Sequence, residues 1–125
     1  MDIDDDFIKQ LAELGFIAGG YGMLDQADAI VGALETLRPG SERPALIAAV
    51  TRLSLQDAPG AEQVLRERAL KPNPNSGMVK AYLGLALHLQ GRVNERDQIL
   101  HEALALADEE DAMTMARNLL NTRPG

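Results

Sequence analysis

Apolar residues recur at every third or fourth position along most of this chain, a spacing that predicts amphipathic helices. The pattern is clearest between Gly77 and Asp108. A first helix there contains Leu83-Gly84 and is expected to end near Gln90, because Gly91 can adopt the left-handed conformation that closes a helix. A second helix follows, and its apolar positions keep helical spacing: Val93, Ile99, Leu100, Ala103, Leu104 and Leu106. The two helices form a predicted hairpin in which the small Gly84 allows a neighbouring backbone to approach.

The same spacing of glycines occurs near the start of the chain, where Leu14-Gly15 is followed seven residues later by Gly22. Gly15 and Gly84 are 69 residues apart, which corresponds to two periods of a helical hairpin repeat of about 34 residues. A middle copy is therefore expected over residues 42–75, with Ala49 in the place of the first glycine.

The sequence thus predicts an all-α fold in a single domain over residues 1–125. Three helix hairpins are followed by a capping helix that covers the last apolar face, which makes about seven helices. The predicted hairpins cover about residues 4–37, 43–70 and 76–106, and the capping helix covers about residues 109–121.

The first helix of the middle hairpin has an unusual pattern. Pro44 fits its first turn, and residues 45–50 are apolar on every face, whereas a helix at the surface should have a polar side. Two interpretations follow. The helix is either buried by its own neighbours at the centre of the stack, or its inner face is covered by a partner protein.

Composition narrows the classes of function. The chain is 46% hydrophobic but only 3% aromatic, so its core consists of small and aliphatic side chains that pack helices closely. A net charge of −7 repels phosphate backbones, and we expect no nucleic-acid binding. The chain has no cysteine, begins with an acidic segment unlike a secretory signal, and has no apolar run long enough for a membrane span. We therefore expect a cytoplasmic protein without membrane insertion.

Candidate chemistry is sparse. His88 and His101 are the only histidines, and neither is followed by a carboxylate or histidine three or four residues later that could share a metal ion. The segment Gly19-Gly20-Tyr21-Gly22 lies at the end of a helix and lacks the Lys-Ser/Thr pair that completes a phosphate-binding loop. No serine has a glycine elbow or a nearby histidine. We expect no metal, no cofactor and no catalytic residues.

Several residues stand in the register of the tetratricopeptide repeat, which the chain resembles: Leu14-Gly15, Leu83-Gly84, Gly22, Gly91, Ala27, Ala103 and Pro39. Arg96 departs from that register, in which alanine is usual. The resemblance implies a right-handed stack whose first helices line a concave groove. The groove residues that it implies are mostly aliphatic: Phe16, Leu46, Val50, Leu53, Ala81, Leu85, His88 and Leu89. Such a groove would enclose an amphipathic helix through apolar burial rather than ion pairs.

Nearly the whole chain also looks like small cytoplasmic chaperones of bacterial type III secretion, especially needle-subunit chaperones of the YscG/PscG type. The similarity is strongest over residues 80–87. Hrp-type secretion proteins share the Leu37-Arg38-Pro39 turn and a similar Lys80-Ala81 helix, so both resemblances stay open. The needle-chaperone resemblance implies two partners, a secreted needle-type subunit whose C-terminal helix lies in the groove and a small co-chaperone over the N-terminal helices.

The function expected from these features is that of a non-catalytic binding protein, a bacterial cytoplasmic chaperone that keeps a self-assembling secreted subunit soluble. A general repeat scaffold, or a homodimer that forms when the partner is absent, is the first alternative. An enzyme is the second, and it would require a pocket with converging polar groups.

Overall fold

The computed structural model describes residues 4–123, and within that range it contains helices and no strand. The all-α prediction, with helices paired into successive hairpins, is confirmed. The predicted domain limits at residues 1–3 and 124–125 lie outside the described residues. The bounds are α1 Asp5–Gly20, α2 Leu24–Leu37, α3 Arg43–Ser54, α4 Ala58–Val64, α5 Gly77–Leu89, α6 Val93–Leu106 and α7 Glu110–Leu120, with a π-helical segment Leu65–Leu70 that continues α4.

The two predicted glycine turns have the same geometry. Gly22 after α1 and Gly91 after α5 have φ angles of 69° and 73°, in the left-handed region. The N–H of Met23 donates to the carbonyl of Ala18 at 2.9 Å. At the equivalent position of the third hairpin, the N–H of Arg92 donates to the carbonyl of Leu87 at 3.0 Å. These bonds satisfy the last free carbonyls of each helix and reverse the chain. The glycine signal therefore located both turns correctly.

The middle hairpin has the same turn without a glycine. Gln56 adopts a φ of 62°, and the N–H of Asp57 donates to the carbonyl of Arg52 at 2.8 Å. Gln56 lies 34 residues after Gly22 and 35 before Gly91, so the turn recurs with the period of the repeat. A glutamine gives no sequence signal for left-handed backbone, which is why the middle copy appears degenerate in the sequence.

Gly15 and Gly84 are both sites of close helix packing. A Cβ atom on Gly84 would lie 2.3 Å from Cδ2 of Leu100 on α6, and one on Gly15 would lie 2.7 Å from Cδ1 of Ile47 on α3 and 2.9 Å from Cγ2 of Ile30 on α2. Such distances leave no room for a side chain. The two Leu-Gly pairs therefore mark close helix contacts, of Gly84 with the following helix α6 and of Gly15 with both α2 and α3.

Helix α3 lies at the centre of the stack, in contact with α1, α2, α4 and α5. Residues 44–49 are all buried, and the hydroxyl of buried Thr51 donates to the carbonyl of Ile47 at 2.8 Å. Of the two interpretations of its apolar pattern, burial by its own neighbours holds for most of the helix. Arg43 and Ser54 at the two ends are exposed, Val50 and Leu53 form a partly exposed strip, and Arg52 is partly exposed on another side.

Helix α7 packs on α5 and α6, and Arg96 joins it to them. The Arg96 side chain is 3% exposed, and its guanidinium bonds Nδ1 of His88 at 2.9 Å, the carbonyl of Thr122 at 3.0 Å and the carboxylate of Asp97 at 2.8 Å. A buried arginine is tolerated when its donors are satisfied in this way. The residue that departs from the repeat register thus ties the end of the chain to the third hairpin.

Candidate partner-binding surface

A cavity of about 300 Å³ opens between α1, α3 and α5. Its apolar walls are Phe16 from α1, Leu46 from α3, and Met78 and Tyr82 from α5. Leu46 is 3% exposed, whereas the other three are half-buried and present part of their surface to the cavity. Burial raises the pKa of the Tyr82 phenol, so this side chain stays uncharged at neutral pH. The apolar part of the cavity is therefore a depression of the size of a few side chains.

The apolar wall continues along α5 beyond the cavity. Met78, Tyr82, Leu85 and Leu89 are spaced by four, three and four residues, which places them on one side of the helix. All four retain accessible surface, and Leu89 is 56% exposed. We call these four residues the α5 row, and the row together with Phe16 and Leu46 the groove.

Most of the residues predicted for the groove lie on this surface. Phe16 and Leu46 line the cavity, and Leu85 and Leu89 belong to the α5 row. Val50 and Leu53 follow Leu46 at helical spacing and are half-buried on the exposed strip of α3.

Ala81 and His88 are placed differently from the predicted groove positions. Ala81 has no accessible surface, so it offers nothing to a partner. It shares one side of α5 with Gly84 and His88, and this side faces α6, because Gly84 packs on Leu100 and His88 bonds Arg96. The remaining, open side of the helix carries the α5 row.

Met78 and Tyr82 were missed by the sequence analysis. The repeat register assigned Ala81, Leu85, His88 and Leu89 to the inner side of α5. The four-three-four spacing that joins Leu85 and Leu89 to Met78 and Tyr82 was already readable in the sequence. Choosing between the two sides requires knowing where α6 and α7 pack. That information is tertiary and is absent from local periodicity.

One end of the cavity is acidic. Glu42 precedes α3 and Glu109 precedes α7, and both line the cavity beside Arg43. Burial raises the pKa of Glu109, and the negative charges of Glu42, Asp108 and Asp111 raise it further, against the smaller opposing effect of Arg43. The local potential at this end of the groove is therefore negative.

A second apolar surface lies on α1. Phe7, Leu14, Ile17 and Tyr21 are 50%, 57%, 57% and 81% exposed, and their spacing of seven, three and four residues places them on one side of the helix. The buried side of the same helix carries Ile8, Ala12, Gly15, Ala18 and Gly19. Helix α1 is thus apolar on two sides, of which only one is covered by its neighbours.

The described part of the chain contains neither a cluster of metal-binding side chains nor a membrane-spanning helix. No group of three or more acidic or histidine side chains there could hold a metal ion. No helix within residues 4–123 has both the length and the apolar character needed to cross a membrane.

The family model described as "Bacterial type III secretion protein (HrpB1_HrpK)" matches residues 1–124. The chain belongs to this family of bacterial type III secretion proteins. The match includes every helix that forms the groove and the exposed side of α1. Of the two resemblances left open by the sequence, it supports the Hrp-type secretion proteins. No curated protein matches the chain.

Proposed function

We propose that this type III secretion protein is a non-catalytic chaperone in the bacterial cytoplasm. Its client is a self-assembling secreted subunit of the needle type, and one amphipathic helix of that subunit lies in the groove. The observation that carries the proposal is the α5 row, in which Met78, Tyr82, Leu85 and Leu89 keep accessible apolar surface on one side of a helix. Apolar rows of this kind bind amphipathic helices.

The dimensions of the groove suit such a client. From Met78 to Leu89 the α5 row covers twelve residues, a rise of about 16 Å along the helix. A client helix of about three turns would cover this length and place its own apolar side chains against the row. Burial of apolar area on both partners supplies the affinity at roughly 25 cal/mol per Å² before the costs of association.

A chaperone of this kind removes the assembling surface of its client from solution, so its effect should be stoichiometric. We expect a purified needle-type subunit of the same secretion system to stay soluble with one equivalent of the protein and to polymerise without it. Light scattering over time measures this. Polymerisation at an unchanged rate with excess protein would contradict the proposal, and suppression at far below one equivalent would indicate a different mechanism.

A small co-chaperone is a second proposed partner, and the exposed apolar side of α1 favours it. Phe7, Leu14, Ile17 and Tyr21 form a surface on which another helix could pack. Replacing Ile17 by aspartate should abolish co-chaperone binding in a pull-down and leave client binding through the groove unchanged. If the α1 surface instead pairs with a second copy, the isolated protein has the mass of a homodimer in solution, as in the alternative of a scaffold or homodimer.

A further inference from the structure

The groove has a charged end as well as an apolar wall. Glu42 and Glu109 line the cavity together with Phe16, Met78 and Tyr82. Asp108 adjoins this end and accepts a hydrogen bond from the N–H of Gly77 at 3.1 Å, at the start of the helix that carries the α5 row. A partner lying along the row would therefore meet negative charge at the first turn of α5.

Among the described residues, some surface carboxylates form ion pairs with cations, whereas the two that line the cavity do not. Glu62 pairs with Arg92 at 2.6 Å, and Glu102 pairs with Lys80 at 2.7 Å. Across residues 4–123, neither Glu42 nor Glu109 forms an ion pair with a lysine or arginine side chain. Glu42 contacts the hydroxyl of Ser76, which is neutral.

Among the described residues that line the cavity, Arg43 is the one cation, and it does not balance the negative charge at this end. The carboxylates of Glu42, Asp108 and Asp111 oppose it, and the pKa of Glu109 stays raised despite its presence. Desolvation of Glu109 and, after it, the neighbouring carboxylates disfavour its ionised form, and an additional cation beside it would relieve the repulsion.

We propose that the groove selects an amphipathic helix with lysine or arginine beside its apolar stripe, and that this basic residue lies against Glu42 and Glu109. This inference rests on the proposed function and specifies the chemistry of the client helix. Apolar burial supplies most of the affinity, whereas charge complementarity fixes which helices bind and how they lie. A second copy of the chain fits poorly, because its net charge of −7 would oppose the acidic end.

The test uses three synthetic helical peptides of about 18 residues with one leucine stripe in common, flanked by lysine, glutamine or glutamate. Dissociation constants are measured by fluorescence anisotropy with the full chain. We expect the lysine-flanked peptide to bind at least about threefold more tightly than the glutamate-flanked peptide, with the glutamine-flanked peptide between them. Equal affinities for the lysine- and glutamate-flanked peptides would overturn the inference.

Two matched variants locate the charge effect. Glu109→Gln should weaken the lysine-flanked peptide about two- to fivefold and leave the glutamine-flanked peptide unchanged. Glu67→Gln removes the same charge from an exposed position outside the groove and should change neither. Glu109 is exposed and caps no helix through its side chain, so the substitution preserves the fold. Equal effects of the two variants would overturn the inference.

Failure of the inference can be told from failure of the proposed function. If all three peptides bind equally and Leu85→Asp abolishes their binding, the apolar groove stands and charge selection falls. If no peptide binds, or if Leu85→Asp has no effect on peptide binding, both the proposed groove and the charge selection are wrong. A dimer that Leu85→Asp converts to a monomer would assign the groove to a second copy and overturn the inference.

Discussion

Gln56 has the left-handed backbone conformation that Gly22 and Gly91 have at the two equivalent turns. A φ of 62° brings the Cβ atom of any L-residue close to the following carbonyl oxygen, at a cost of about 1–2 kcal/mol that is partly offset by the lower chain entropy of a non-glycine residue. Gln56 thus retains strain that Gly22 and Gly91 avoid. Its turn forms because the helices on both sides pack into the stack.

Replacing Gln56 by glycine should therefore raise the free energy of unfolding by about 0.5–1 kcal/mol. Urea denaturation measures the change. The same substitution at Gln63, an exposed residue within α4, should lower the free energy by about 1 kcal/mol, because glycine is a poor helix former. A lower free energy of unfolding for both variants would show that the Gln56 turn is unstrained.

Glu62 is the best-connected carboxylate among the described residues. Its burial alone would raise its pKa, but hydrogen bonds from Arg66, Gln90 and Arg92 outweigh burial, so the pKa lies below the usual 4.5. A carboxyl group whose pKa falls on folding stabilises the protein above the unfolded-state pKa. That contribution is lost as the pH falls through the folded-state pKa.

Glu62→Gln should accordingly destabilise the protein most near neutral pH, and the difference from the unaltered protein should shrink below about pH 4.5. Unfolding free energies at a series of pH values measure this difference. Glu67→Gln, at an exposed position, is the control for loss of one charge. A Glu62→Gln difference that is independent of pH would exclude an ionic role for the carboxylate.

At the scale of helices, the two Leu-Gly pairs identify where neighbouring elements touch. Gly84 faces the side chain of Leu100, which is fully buried and has little freedom to move. Gly32 on α2 has no atom within 4 Å of the position that a Cβ would take. Substitution of Gly84 therefore tests the effect of close packing on stability, whereas substitution of Gly32 tests helix propensity alone.

Gly84→Ala should destabilise the protein by about 1–3 kcal/mol, because even one methyl group overlaps Leu100. Gly32→Ala should stabilise it by up to about 1 kcal/mol through higher helix propensity. Thermal or urea unfolding of both variants checks the signs. A stabilising Gly84→Ala would mean that α5 and α6 pack less closely than the structure indicates.

The helices and their pairing could be predicted from the sequence because both depend on local signals. Apolar spacing marks the buried sides, and Gly22 and Gly91 mark two of the three hairpin turns. The left-handed conformation of Gln56 could not be predicted, since it is imposed by packing. The side of α5 that stays open was also beyond local pattern, because it depends on how α6 and α7 dock.

The acidic end of the groove illustrates the same limit. Glu42 and Glu109 are 67 residues apart in the chain and meet only because the hairpins stack. Each residue alone is an ordinary surface glutamate at a helix start. Only the fold places both beside the apolar wall.

For the molecule as a whole, the stack buries its centre and leaves two apolar surfaces in contact with water, the groove and the outer side of α1. Exposed apolar area of this kind favours association. A partner that binds only the folded protein also stabilises it. The proposed function therefore lies in these two surfaces, which the described residues of the chain leave uncovered.

The most direct test is client binding by Leu85→Asp at about 0.1 M and about 1 M salt, with Glu67→Ala as the control and circular dichroism to verify folding. An unpaired carboxylate against the buried face of the client helix should weaken binding by several kcal/mol, whereas Glu67→Ala should cost almost nothing. The unaltered protein should keep its client at high salt, with only a severalfold loss from the acidic end of the groove. Normal binding by Leu85→Asp, or release of the client by salt alone, would contradict the apolar groove.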